Sequence, residues 1–163
     1  RVNVRHHDVT VLVGVGMVLL RPGYEPDYDG KPPVYAIGCA GVITEAEQLP
    51  DGRYLIMLRG MVKFRIRGED QSRLYRVARV EALPEALNDE EKAALRDQRS
   101  RLTALVAAAT PDAGKPPSSM PDEQLVNTFA QYLDLDPVDR QALLELQDAL
   151  VRSKALVSLL EPR

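Results

Sequence analysis

Residues 38–85 read GCAGVITEAEQLPDGRYLIMLRGMVKFRIRGEDQSRLYRVARVEALPE, and this stretch decides the fold. Its apolar runs are cut by Leu49-Pro50-Asp51-Gly52 and by one polar loop that carries Arg73. Pro50 presets φ for the start of a tight turn and Gly52 suits a positive φ, which together read as a hairpin. From residue 61 to 68 the chain alternates, with Val62, Phe64 and Ile66 on one strand face and Lys63, Arg65 and Arg67 on the other. That strand is half buried. Residues 74–83 supply another strand, and Pro84 ends the β portion. The stretch holds no set of nucleophile, base and orienting group, so it reads as a small β meander built to hold or present something.

On the N-terminal side, residues 2–20 alternate valines with polar residues and then become continuously apolar, which suits one or two strands interrupted by Gly14 and Gly16. Residues 21–33 hold four prolines and two glycines, a loop that sustains neither a helix nor a central strand. On the C-terminal side the period changes from 2 to about 3.6 after Asn88. Asn88 with Glu91 predicts a capped helix of about 20 residues with Leu95, Leu102, Leu105, Val106 and Ala109 on one stripe. Residues 110–120, rich in Pro and Ser, read as a linker. Pro121 then opens a second helix whose Leu125, Val126, Phe129, Tyr132 and Leu133 face inward. A third begins at Asp136-Pro137 with Leu143, Leu144 and Leu146, and it continues or restarts near Asp148 to about Leu160. Strands followed by helices predict α+β, not a parallel sheet: a β-rich subdomain over residues 1–85 and a helical one over 86–163.

Composition narrows the function. Hydrophobic residues at 45% and charged residues at 28% place the chain with ordinary globular proteins. Its longest mostly apolar run is too short to span a bilayer, so no membrane role is expected. A net charge of −3 argues against a polyanion binder, and nucleic acid is a poor partner for the chain as a whole. The single cysteine, Cys39, excludes an internal disulfide and fits a reducing, cytoplasmic setting. Aromatics at 5% leave little material for a pocket of stacked rings.

The candidate chemical motifs read more plainly as structure. Gly14-Val15-Gly16 lacks the third glycine of a dinucleotide fingerprint and is followed by a Pro-rich loop instead of a helix. His6 and His7, adjacent in an extended segment, point to opposite faces and do not share a metal easily. Cys39, at the opening of a strand, suits a small buried hydrophobe better than a nucleophile. Glu45 and Glu47 lie side by side on one strand face, a pattern for a cation or simply for solvent. Asp89, Glu90 and Glu91 favour the first turn of a helix. No catalytic, cofactor or metal site follows. The basic stripe does stand out: Arg59, Lys63, Arg65 and Arg67 form the candidate binding face. It suits an acidic peptide, RNA phosphate, or an edge strand kept soluble by charge.

Taken as an ordered set, Cys39-Ala40-Gly41-Val42-Ile43, Glu45 through Tyr54, Gly60-Met61-Val62-Lys63-Phe64-Arg65-Ile66, Tyr75 through Val80 and Leu83-Pro84-Glu85 resemble the N-terminal substrate-binding domain of the Lon protease family. Gly16 through Gly23 look like that family's strand before its variable loop, and the resemblance covers roughly residues 14–160. It implies a PUA-like β pseudo-barrel followed by a C-terminal helical bundle, and a module that engages unfolded or tagged proteins without catalysing anything. The short stand-alone bacterial proteins of this domain are the nearer match. The family's opening Pro-Leu-Phe-Pro-Leu strand and Phe-Glu-Pro-Arg-Tyr-like helix entrance are not present, so residues 1–13 fall outside the resemblance.

The expected function is therefore a non-enzymatic, cofactor-free protein-binding module for extended or unfolded clients, by strand addition at a free sheet edge. A separate ATPase or protease is the partner the resemblance suggests, and a homo-oligomer is compatible with it. The alternative is an RNA-binding PUA-like domain using the basic strand face.

Overall fold

The structure is a computed structural model, and it describes residues 5–6, 9–10, 14–112 and 114–161. Two compact units divide it, Arg1–Pro84 and Glu85–Arg163.

In the first unit, β1 (Arg5–His6) and β2 (Val9–Thr10) pair antiparallel. A second sheet carries β3 (Gly14–Met17), β4 (Ile37–Gln48), β5 (Tyr54–Asp70) and β6 (Val77–Leu83) in the order β3-β4-β5-β6, all antiparallel. The alternating stretch 61–68 is thus part of one 17-residue strand, β5. Its continuity is possible because the strand accommodates an extra residue there: Gly41 pairs with Gly60 and Ala40 with Val62, leaving Met61 as a bulge. Thr44 is bulged on β4 and Arg67 on β5 in the same way.

The β4–β5 turn follows the sequence closely. Gly52 N–H donates to Leu49 O (3.0 Å) and Leu49 N–H to Arg53 O (2.8 Å), with Gly52 at φ +86°, a conformation that costs glycine little. Asp51 accepts from the Arg53 backbone N–H (3.0 Å) and Nε (2.7 Å), and these bonds hold its carboxyl below the ordinary carboxylate value. Gly38 answers a different need. A Cβ there would lie 2.6 Å from Val18 Cγ1 and 2.7 Å from Phe64 Cζ, so the buried Phe64 ring lies where a side chain at residue 38 would go.

Residues 21–33 are closed at the base by Arg21 N–H to Pro33 O (3.0 Å) and Tyr35 N–H to Leu19 O (2.9 Å). Part of the loop winds into a 3-10 helix, Glu25–Gly30, with Pro26 in its first turn where a missing N–H costs nothing. Arg76 ties it down by bonding both Glu69 and the Pro32 carbonyl. Gly14 and Gly16 sit inside β3 opposite Val42 and Ala40, not at a helix entrance. His7 and residues 1–4 lie outside the described residues, so the His6–His7 pairing does as well.

The second unit holds α1 (Asp89–Ala109), α2 (Asp122–Tyr132), α3 (Pro137–Glu145) and α4 (Ala149–Leu160). The expected capping box closes α1: Asn88 Oδ1 accepts from Glu91 N–H (2.9 Å) and Glu91 Oε2 accepts from Asn88 N–H (2.8 Å). The core gathers Leu95, Leu102 and Val106 with Leu125, Phe129 and Leu156. Two residues of the predicted stripes depart from it. Ala109 is exposed and Tyr132 is 73% exposed, because each lies on the last turn of its helix, where the chain leaves the core. The last helix restarts instead of continuing, with Asp148 Oδ1 accepting from Val151 N–H (2.9 Å) as its N-cap.

Arg152 was not foreseen as a core residue. It is 4% exposed, and its guanidinium donates to Leu143 O (3.0 Å), Asn127 Oδ1 (2.7 Å) and both oxygens of Glu85 (2.6 and 3.2 Å). A buried cation is tolerated only when so fully bonded.

Candidate functional site

The described part of the first unit spends little of its apolar surface on a core. Among its described residues only Ile37, Ala40 and Phe64 are buried hydrophobics, whereas Ile43, Tyr54, Leu55, Ile56, Met57 and Met61 stand between 39% and 59% exposed. These cluster on the β4–β5 arm. Among the described residues, 43–48 and 54–58 pair only with each other, since β3 reaches Val42 and β6 reaches Lys63.

Register separates the arm into two faces. The pairs Ile43–Leu58, Ala46–Ile56 and Gln48–Tyr54 build one that bears no charge. Glu45–Met57 and Glu47–Leu55 build the other, where two carboxylates border two apolar side chains. Thr44 Oγ1 donates to Met57 O (3.2 Å), so the bulged residue satisfies its own hydroxyl. A free two-stranded ribbon is marginally stable in water, and exposed apolar side chains on both of its faces are the mark of a surface that meets something else.

The four cations of the predicted face do not share one. Lys63 pairs across from Cys39 and Arg65 from Ile37, while Arg59 pairs across from Val42. Cys39 and Ile37 point to one side of β4 and Val42 to the other, so the Met61 bulge puts Arg59 on the Phe64 side, away from Lys63 and Arg65. Arg67 donates from Nε to Glu81 Oε2 at 2.6 Å, which neutralises it. Over 62–66 the two faces keep their parity in register, but burial follows it only in part: Phe64 is buried and Arg65 exposed, while Val62, Lys63 and Ile66 are all half-buried. Arg59 was misplaced because a bulge leaves no mark in a pattern that alternates straight through it.

Other singled-out residues make no centre. Cys39 is half-buried within β4 and its Sγ lies 3.6 Å from Ala40 O. Among the described residues no group of three or more His, Cys, Asp or Glu is placed to hold a metal ion, and no helix is long and apolar enough to cross a membrane.

Sequence reasoning missed a concavity in the helical unit. A groove of about 940 Å³ is lined by the C-terminal half of α1 from Arg99 on with its C-cap Thr110, by the 114–120 segment and by the C-terminal half of α2. The linker reading concealed it, since nothing in a Pro-Ser composition says that the segment folds back along two helices.

The profile of the family described as "ATP-dependent protease La (LON) substrate-binding domain" matches residues 10–162. The chain belongs to that family. The match begins four residues before the resemblance drawn from motifs. This Lon substrate-binding domain is 29% identical over 150 residues to a Lon protease of Trichlorobacter lovleyi, covering 86% of the chain and 18% of that protein. A Lon protease of Desulfovibrio desulfuricans is 25% identical over 130 residues, covering 76% of the chain and 15% of the relative. The chain thus spans less than a fifth of the length of these curated relatives. Among solved structures, the N-terminal domain of the Mycobacterium avium complex Lon protease superposes with a TM-score of 0.57 at 18% identity, over 92% of this chain and 91% of that one. The fold is accordingly that of a Lon N-terminal domain, α+β, with a four-stranded antiparallel sheet and four α-helices among the described residues. The family profile covers the substrate-binding part of the protease, not its catalytic part.

Proposed function

We propose that this Lon substrate-binding domain is a non-catalytic module that captures extended, apolar segments of unfolded proteins on its β4–β5 arm. The observation that carries the reading is the uncharged face of Ile43, Ala46, Tyr54, Ile56 and Leu58 on a ribbon with no third strand among the described residues. An extended client segment gains backbone hydrogen bonds from a free strand edge and apolar contact from the side chains beside it. Glu45 and Glu47, on the opposite face, favour clients with basic residues flanking the apolar run. Lys63 and Arg65 are a secondary contact for acidic flanks. RNA is the weaker ligand, because the cations are divided between two faces and Arg67 is paired.

On this reading the β-rich part, residues 1–85, is a PUA-like pseudo-barrel and residues 86–163 a helical bundle. The domain works in the cytoplasm beside an ATPase and protease that processes what it captures. The test is fluorescence anisotropy with a reduced, carboxymethylated globular protein as the unfolded probe. Losing apolar contacts at Tyr54→Ser and Ile56→Ser together weakens binding by at least about tenfold, since each buried side chain is worth roughly 1.5–3 kcal/mol. Equal binding of the native and the carboxymethylated protein sinks the proposal.

A further inference from the structure

The helical unit carries a second surface of a different kind. Its groove, at about 940 Å³, lies in the upper part of the size range of small-molecule sites, roughly 300–1,000 Å³. Val106 and Phe129, both buried, line it together with Ala104, Ala107, Met120 and Pro116. An apolar lining of this extent selects an apolar body, because such a body leaves water at no polar cost.

Charge sets the other end of the ligand. Two charged side chains line the groove, Arg99 and Lys115, and both are cations. Arg99 is already committed: it donates to Asp122 Oδ1 (2.6 Å) and to the carbonyls of Met120 (2.8 Å), Pro117 and Ser118 (3.4 Å each). Those bonds fix the 117–120 wall against α1. Lys115 is exposed and has no ion pair or hydrogen bond among the described residues. Among the described lining residues there is no carboxylate, and with Arg99 paired to Asp122 the charge left for a ligand is that of Lys115, so the electrostatic complement is an anion. Ser100, Thr103, Thr128 and Tyr132 add hydroxyls that accept or donate to an oxygen-bearing head.

We propose that this groove binds a single-chain anionic amphiphile, a fatty carboxylate, with its chain along Val106 and Phe129 and its head at Lys115. The site is independent of the arm: it uses other residues in the other unit and stands whether or not the arm captures clients.

The experiment is calorimetric and NMR titration of the full chain with dodecanoate below its micellar concentration, with dodecanol and dodecyltrimethylammonium as neutral and cationic probes. One saturable site is expected, with amide shifts at Ala104, Ala107 and Thr128. The order of affinity is carboxylate, then alcohol, then ammonium. Lys115→Gln weakens dodecanoate by about two- to fivefold, the worth of one exposed ion pair. Ala107→Phe fills the groove from an exposed helix position and weakens it by at least about tenfold while far-UV dichroism stays unchanged. Dodecyltrimethylammonium binding as tightly as dodecanoate overturns the proposal. So does unchanged affinity in a folded Ala107→Phe, or the lack of a saturable phase below about 1 mM.

Discussion

Removing the charge of Glu85 should damage the helical unit more than removing that of Arg152, although the two form one ion pair. The Arg152 side chain is 5% exposed and that of Glu85 21% exposed. Glu85→Gln leaves a buried guanidinium facing only neutral acceptors, Leu143 O and Asn127 Oδ1, and an uncompensated buried charge costs about 3–5 kcal/mol. Arg152→Met keeps most of the volume and leaves a carboxylate that still reaches water. Its cost is that of unmade hydrogen bonds, about 1–3 kcal/mol. The double variant removes both charges and should lie well below the sum of the two single costs. With a urea slope of about 2 kcal/mol per molar, Glu85→Gln lowers the midpoint of the helical transition by about 2 M and Arg152→Met by about 1 M. Urea titration of the full chain by far-UV dichroism measures both. A Glu85→Gln cost under about 1 kcal/mol, or an Arg152→Met cost larger than it, refutes the reasoning from burial.

Three further outcomes follow from local geometry. Gly38→Ala drives a methyl into Val18 and the Phe64 ring and should destabilise the β unit by about 1–3 kcal/mol or more, read from the loss of amide protection in β4 and β5. Asn88→Ala removes one half of the capping box and costs about 1 kcal/mol in helix stability, measured by thermal melting. Asp51, whose carboxyl is held below its ordinary value by Arg53, contributes to the turn above the unfolded-state value and loses that contribution as pH falls through the folded one. The protection of the Gly52 and Arg53 amides, taken relative to the intrinsic exchange rate at each pH, should therefore fall in acid in the parent chain, and Asp51→Asn should show the lower protection already at neutral pH.

What the sequence made legible was local. Pro50 and Gly52 dictate a turn whatever lies around them, and Asn88 with Glu91 dictates a helix start, because each acts on backbone within four residues. Strand parity over 62–66 was readable for the same reason. What escaped depends on neighbours distant in the chain. Arg152 looks like any helix-surface arginine until Glu85, 67 residues away, is seen to bond it. The 114–120 wall gives no periodic signal, yet Arg99 holds its carbonyls in place. The exposed arm was hidden differently. Residues 54–58 form an unbroken apolar run, as a strand buried on both faces would, and only the reach of β3 and β6 shows that no described strand covers them.

Met61 also bears on how such a chain tolerates change in length. An extra residue absorbed at one point leaves the pairs on either side, Gly41–Gly60 and Ala40–Val62, as they would be without it. Deleting its codon should therefore straighten the strand without turning either surface over, and Thr44 on the facing strand offers the same freedom. Single residues can be gained or lost at these bulges, Arg67 of β5 included, with the same outward chemistry on the arm, whereas a slip between the paired residues of the arm would reverse it.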